Sequence, residues 1–177
     1  IMKSFTTAAA LEHLGADSRV TTTVHGLGEL RSGVLAGGLA LVGAGDFSFG
    51  LRDEPDGSLW FGGFDHNEAN TGLFPPDMPP GDPLAGLRDL AEQLVDAGVE
   101  RIAGDVVVDN RRFDTETRWP DGRIDAIWVN ENLIDALVTP GAVGAAPAVE
   151  LRPALDGLVL VNEARTVAGD GVDLLVE

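Results

Sequence analysis

The sequence predicts an α+β fold: a short first helix, then a mixed sheet-plus-helix region, then a mostly β region. Three observations favour this class. An apolar helical segment near the N-terminus ends at a glycine, one amphipathic helix pattern stands between β-branched runs, and the second half carries only short strand patterns separated by turn residues. A chain of 177 residues suffices for one domain or two small ones.

The first predicted helix covers residues 4–14. Ala8, Ala9 and Ala10 are strong helix formers, and Gly15 is a typical residue to end a helix. Because the segment is apolar on nearly every side, we expect a buried helix whose packing partners lie outside these 177 residues.

Two neighbouring antiparallel strand regions are predicted next, over residues 19–25 and 33–43. Residues 44–82 then form an irregular excursion, with a turn at 53–57 and a short apolar strand at 59–61. Its end is rich in residues that interrupt regular structure, namely Pro75, Pro76, Pro79 and Pro80.

The clearest helix pattern follows the excursion. Asp82 is the expected N-cap, Pro83 the first helical residue and Gly98 the stop. Its apolar face comprises Leu84, Leu87, Leu90, Ala91, Leu94 and Val95. The pattern of residues 99–109 predicts that the chain leaves this helix and forms a buried strand packed against it.

The remaining chain predicts short strands with turns between them. The strand patterns cover residues 124–129, 133–138, 148–151, 158–161 and 172–176, and Pro140 with Gly141 marks a break.

Charge and composition exclude several classes of function. Twelve basic and 29 acidic residues give a net charge of −17, which disfavours nucleic-acid binding. The absence of Cys excludes disulfides and thiolate chemistry, and no apolar run is long enough to predict a transmembrane segment. A solvated, soluble surface is the expected role of the acidic residues.

Two local motifs predict no cofactor or metal. Gly43 and Gly45 follow a strand, but no helix pattern succeeds them to bind a pyrophosphate, so a turn is the better interpretation. Residues 65–68 (Asp-His-Asn-Glu) could supply metal ligands, but no second His stands at ligand spacing. We therefore expect neither a cofactor nor a metal.

Other titratable residues give no catalytic pattern. His13 and His25 have no nucleophile motif nearby, and the pair Asp105 and Asp109 is a spacing that 29 acidic residues produce by chance. Lys3, the only lysine, stands at the opening of the first helix, where a desolvated amine could act as a base or simply be solvated.

Several segments together resemble the penicillin-binding-protein 4-like D-alanyl-D-alanine carboxypeptidases (peptidase family S13). Residues 1–17 are similar to the segment that follows the family's motif serine, with the lysine of Ser-x-x-Lys, a Thr-Thr-x-Ala-Ala-Leu helix and Leu-Gly-x-Asp. Residues 33–46 resemble its Gly-x-Leu-x-Gly-x-Leu-x-Leu-x-Gly-x-Gly-Asp motif. Residues 90–114 and 129–147 resemble its Gly-Ile-x-x-Ile-x-Gly-Asp, Phe-Asp, Asn-x-Asn and Pro-Gly segments.

The resemblance implies that Lys3 is the general base beside a nucleophilic serine. By the motif's spacing that serine immediately precedes Ile1, so Ser4 is not the nucleophile. The family's Ser-x-Asn and Lys-Thr-Gly motifs are absent from the sequence. We therefore expect an excised piece of a longer protein, inactive alone.

The resemblance also implies the domain organisation. Residues 1–19 would be a piece of the transpeptidase domain, 20–113 an accessory insert domain of α/β character, and 114–177 a second, mostly β insert that is incomplete. Residues 47–80 depart from the family's shorter link at this point.

The implied function is that of an accessory-domain fragment of a serine D-alanyl-D-alanine carboxypeptidase or endopeptidase. Such an enzyme acts on peptidoglycan stem peptides through an acyl-enzyme, takes β-lactams as covalent inhibitors and lies outside the cytoplasm, in the periplasm or cell envelope. One alternative is a non-catalytic module that binds the cell wall or a protein, and another is a structural domain without a ligand.

Overall fold

The computed structural model describes residues 2–66, 76–114 and 125–169. It divides into two compact units, one formed by residues 1–47 and 90–128 and the other by 48–89 and 129–177. The helices are α1 (Met2–Leu14) and α2 (Ala85–Asp96). The strands are β1 (Thr23–Gly26), β2 (Leu30–Arg31), β3 (Val34–Leu35), β4 (Leu39–Val42), β5 (Arg101–Ile102), β6 (Val106–Asp109), β7 (Asp135–Thr139) and β8 (Ala148–Arg152). Helices and mixed sheets together confirm the α+β class.

The first unit contains two small mixed sheets, with strand orders β1-β4-β6 and β2-β3-β5. β4 pairs antiparallel with β1, placing Val24 opposite Leu41, and parallel with β6, placing Leu41 opposite Val108. The antiparallel neighbours predicted from residues 19–25 and 33–43 are therefore confirmed, although β1 begins only at Thr23. The described core of this unit consists of Leu35, Leu39, Leu41, Ala44 and Ala126.

Two glycines of the 33–46 motif have specific steric roles beside β4. A Cβ at Gly43 would overlap the Ala126 carbonyl oxygen and the Ile127 side chain. Gly45 has φ of +93°, a left-handed backbone conformation that glycine adopts without penalty, and its N–H donates to the Ala126 carbonyl at 2.8 Å. Residues 43–45 are irregular backbone, so the turn predicted after this strand is not found there, and no helix directly follows the strand.

Helix α1 has the predicted bounds within two residues, but the expected burial is not found within this chain. Every described residue of α1 is exposed, including Phe5 (71%) and Leu14 (69%). An apolar helix is buried only where a second apolar surface packs on it, and no other described element covers α1. The expectation that α1 packs against elements outside these 177 residues stays a prediction.

Helix α2 begins at Ala85, two residues after the predicted start at Pro83, because Pro83 and Leu84 lie in a turn. The capping contacts predicted at Asp82 and Gly98 are present. The N–H of Leu84 donates to Asp82 Oδ1 at 2.9 Å, and Gly98, with φ of +86°, donates its N–H to the Val95 carbonyl. The Leu84 N–H and the adjacent Arg88 guanidinium hold the pKa of Asp82 below its ordinary value.

The prediction of a buried strand over residues 99–109 is wrong in its burial. β6 lies at the edge of its sheet, and Val106, Val107 and Val108 are 61%, 46% and 59% exposed. A run of valines indicates a strand, but it does not distinguish a covered strand from an edge strand.

The second unit contains the antiparallel pair of β7 and β8, in which Asp135 lies opposite Arg152. These strands confirm the patterns at 133–138 and 148–151. Residues 59–61, 125–129 and 158–161 contain no strand, with only isolated bridges at Leu59 and Ile127, so those predictions are wrong. Residues 172–176 lie outside the described residues.

The close approach at Gly43 generates a stability prediction. Gly43→Ala should lower the free energy of unfolding by about 1–3 kcal/mol, because the added methyl group overlaps backbone that cannot move independently. Gly63→Ala is the matched control, since its Cβ would meet only Asp77 Oδ2 at 3.9 Å. Urea unfolding measures both, and equal stability of the two variants would contradict the steric role of Gly43.

Candidate buried ionic site

A buried arginine organises the polar interior of the second unit. The Arg52 side chain is only 2% exposed, although a guanidinium is almost never buried without partners. Its Nη1 lies 2.7 Å from Asp65 Oδ2, and its Nε donates to Glu131 Oε1 at 2.5 Å. Two carboxylates from segments far apart in the sequence therefore compensate one cation.

Aromatic rings extend the environment of this guanidinium. Arg52 Cζ lies 5.7 Å from the ring centroid of Trp60 and 5.4 Å from that of Phe61. Aromatic faces attract cations because their quadrupole is negative above the ring. Burial lowers the pKa of Arg52, but the carboxylates of Glu131 and Asp65 raise it by more than burial lowers it. The pKa therefore lies above its ordinary value, and the guanidinium stays charged.

His66 lies beside the same carboxylates and is 3% exposed. Its Nδ1 is 3.1 Å from Asp135 Oδ1. Its Nε2 is 3.6 Å from Glu131 Oε2 and 3.9 Å from Asp65 Oδ1, separations at which a charge is felt although no hydrogen bond is formed. We call Arg52, Asp65, His66, Glu131 and Asp135 the buried ionic cluster.

A left-handed turn over residues 130–132 forms one side of the buried ionic cluster. Asn130, Glu131 and Asn132 have φ of 50°, 53° and 60°, a region that asparagine tolerates and glutamate seldom adopts. Asn130 is 1% exposed, and its Nδ2 lies 2.9 Å from the Leu133 carbonyl and 3.0 Å from Asp135 Oδ2. These contacts hold the turn in the one conformation that places the Glu131 carboxylate beside Arg52.

The arrangement brings one guanidinium and one imidazole against three carboxylates. Within residues 2–66, 76–114 and 125–169, no group of three or more His, Asp and Glu side chains is arranged to hold a metal ion. In the motif at 65–68, Asp65 and His66 belong to the buried ionic cluster, and Asn67 and Glu68 lie outside the described residues.

Lys3 lies elsewhere, as the second residue of α1, with an exposed side chain. No described residue of α1 provides Lys3 with a partner for base catalysis. The role of general base, which the resemblance implies for Lys3, stays a prediction.

The other titratable residues weighed above do not converge. His13 is exposed at the end of α1, and His25 is exposed on β1, where its ring lies 2.9 Å from Thr23 Oγ1. Hydrogen bonds from the side chain and backbone N–H of Arg111 hold the pKa of Asp109 at about 2.

Sequence reasoning missed four members of the site: Arg52, Glu131, Asp135 and Asn130. Only the resemblance of residues 129–132 to an Asn-x-Asn segment pointed to this turn. No local pattern marks Arg52, because its burial depends on carboxylates 13 and 79 positions away.

No helix in the described parts of the chain combines the length and apolarity that a membrane crossing requires. Comparison with known families identifies the class of protein. Residues 1–174 match the D-Ala-D-Ala carboxypeptidase 3 (S13) family, and the chain belongs to that family. No curated protein matches the chain.

Family membership confirms the resemblance seen in residues 1–17, 33–46, 90–114 and 129–147. It implies a serine carboxypeptidase, a hydrolase, as the activity of the full-length protein. It also implies a peptidoglycan peptide as substrate and sensitivity to β-lactams.

The ionic contacts of Arg52 generate a second stability prediction. Arg52→Met should lower the free energy of unfolding by about 3–5 kcal/mol, because Asp65 and Glu131 would keep buried negative charge without their cation. Arg31→Met is the control: its ion pair with Glu29 is 79% and 70% exposed, and its loss should cost less than about 1 kcal/mol. Equal losses in urea unfolding would show that Arg52 is not the organising group.

Proposed function

We propose that the chain is part of a serine D-alanyl-D-alanine carboxypeptidase or endopeptidase, to which it contributes the general base Lys3 and accessory domains. One observation carries this proposal. The family match extends over residues 1–174, and Lys3, the only lysine of the chain, stands where the resemblance of residues 1–17 would put the lysine of Ser-x-x-Lys.

In the proposed reaction, Lys3 Nζ accepts the proton of the serine hydroxyl as the serine oxygen attacks the carbonyl carbon of the D-Ala-D-Ala bond. The C–N bond of the tetrahedral intermediate breaks, and the terminal D-alanine leaves with a proton returned by the base. An ester between serine and the remaining peptide is formed. Water then attacks this ester, releasing the shortened peptide and restoring the serine.

A β-lactam follows the first half of this path. The serine opens the lactam ring and gives an acyl-enzyme without a departing amine, so labelled penicillin reports acylation directly. The motif's spacing puts the serine three positions before Lys3. Because the Ser-x-Asn and Lys-Thr-Gly motifs are also absent from these 177 residues, the chain by itself should form no acyl-enzyme.

The proposed accessory domains are residues 20–113 and 114–177, following the first 19 residues as a piece of the transpeptidase domain. They would position the enzyme on its substrate or limit access to the catalytic cleft. A net charge of −17 disfavours direct binding of these domains to anionic wall polymers. A substrate in the cell wall places the proposed enzyme outside the cytoplasm, in the periplasm or cell envelope.

The role of Lys3 predicts a specific pattern of acylation rates in the full-length protein. Lys3→Arg should slow labelling by fluorescent penicillin about 10²- to 10⁴-fold, because a guanidinium keeps the positive charge but does not accept the proton. Lys3→Ala should be at least as slow. Glu12→Gln, a charge change at an exposed position of the same helix, should label at the unaltered rate.

Two outcomes would contradict the proposal. Equal labelling of Lys3→Arg and the unaltered protein would remove Lys3 from the chemistry. No labelling of a folded full-length protein would favour a non-catalytic module that binds the cell wall or a protein.

A further inference from the structure

We propose that His66 is a pH-responsive lock within the second unit. As an imidazolium it closes the buried ionic cluster, and on losing its proton it loosens the attachment of residues 48–66 to residues 129–135. The inference rests on contacts of unit two alone and is independent of Lys3.

The geometry joins two segments that are far apart in the chain. Arg52, Asp65 and His66 come from residues 48–66, whereas Glu131 and Asp135 come from the left-handed turn and the start of β7. Three ionic contacts join the two segments: Arg52 with Glu131, His66 with Glu131, and His66 with Asp135.

The charges make the imidazolium the favoured form. Asp65, Glu131 and Asp135 supply three negative charges, and Arg52 supplies one positive charge. With neutral His66 the cluster sums to −2, and with the imidazolium it sums to −1. Uncompensated buried charge is costly, so the cluster binds a proton at His66 more tightly than water does.

Two further polar groups approach Asp135. Arg152 lies opposite Asp135 in the β7–β8 register, but its guanidinium donates to the Gly81 carbonyl. Asn130 is neutral, and its amide donates to Asp135 Oδ2. His66 is the titratable group that lies within 4 Å of all three carboxylates.

Because of the left-handed turn, loss of the His66 proton should weaken the attachment of residues 48–66 to residues 129–135. Glu131 holds φ of 53° and ψ of 30°, a conformation that costs a non-glycine residue about 1 kcal/mol or more. Its carboxylate is held by Arg52 at Oε1 and faces His66 at Oε2. When His66 is neutral, the attraction at Oε2 is lost while the cost of the backbone conformation remains.

The direction of the pH dependence follows from the titration of His66. Burial lowers its pKa, but the nearby Glu131 carboxylate and the Asp135 carboxylate in contact with Nδ1 raise it more, so the pKa in the folded chain lies above its ordinary value. The folded state thus binds a proton that the unfolded state has released. The stabilisation is complete below the unfolded pKa of about 6.5 and disappears as pH rises through the higher folded pKa.

The test is urea unfolding of the full chain from pH 5 to pH 9, with His66→Gln and the control His25→Gln. Between the two pKa values of His66, the ratio of unfolded to folded chain should rise up to about tenfold per pH unit in the unaltered chain. His66→Gln should lose this component and be less stable than the unaltered chain at pH 6. His25→Gln should retain it, since His25 is exposed.

A matching pH slope in His66→Gln and the unaltered chain would overturn the proposal. If His66→Gln does not fold, NMR titration of the three imidazoles in the unaltered chain decides the question. His66 should titrate above the ordinary histidine pKa of about 6.5. Titration of His66 at or below that value would likewise overturn the proposal.

Discussion

The buried charge of the Arg52 guanidinium is the constraint on which the other polar contacts of the second unit depend. Because a buried guanidinium cannot release its proton, its charge must be met by fixed anions. Asp65 and Glu131 meet it, and the Glu131 carboxylate reaches Arg52 only from a left-handed turn that the buried amide of Asn130 helps to hold.

This compensation leaves a surplus of negative charge, which is the origin of the behaviour proposed for His66. A cluster with equal numbers of cations and anions would give an adjacent imidazole no reason to retain its proton. Here three carboxylates face one guanidinium, so the second cation is supplied by a group that titrates near neutrality. A structural constraint and a pH response thus share the same side chains.

The sequence predicted those features whose causes are local. The capping contacts of α2 at Asp82 and Gly98 depend on the conformational preferences of single residues. The α+β class follows from helix and strand periodicities in short windows. All of these were readable before any tertiary contact was known.

Features that depend on distant partners were not readable in this way. The valines of β6 indicate a strand but not its edge position, and residues 158–161 have strand composition without a strand to pair with. Arg52 stands in an irregular segment, where a surface position is the ordinary expectation. Within the site, the Asp-His-Asn-Glu motif at residues 65–68 pointed to Asp65 and His66, and the Asn-x-Asn resemblance at residues 129–132 pointed to the turn.

The family motifs in this chain divide into two kinds. Gly43, Gly45 and Asn130 shape backbone, by close approach, positive φ and a buried amide respectively. Lys3 is exposed in α1, and no described contact gives it a role in shaping the backbone. The proposed function therefore gives it a chemical role, that of the general base.

The most direct measurement of the central functional claim is peptide mapping of the full-length protein after reaction with penicillin. Mass spectrometry should find the acyl adduct on a serine three positions before Lys3, at a single site. An adduct at any other residue, or a folded protein that carries none, would contradict the assignment of the catalytic motif to this end of the chain.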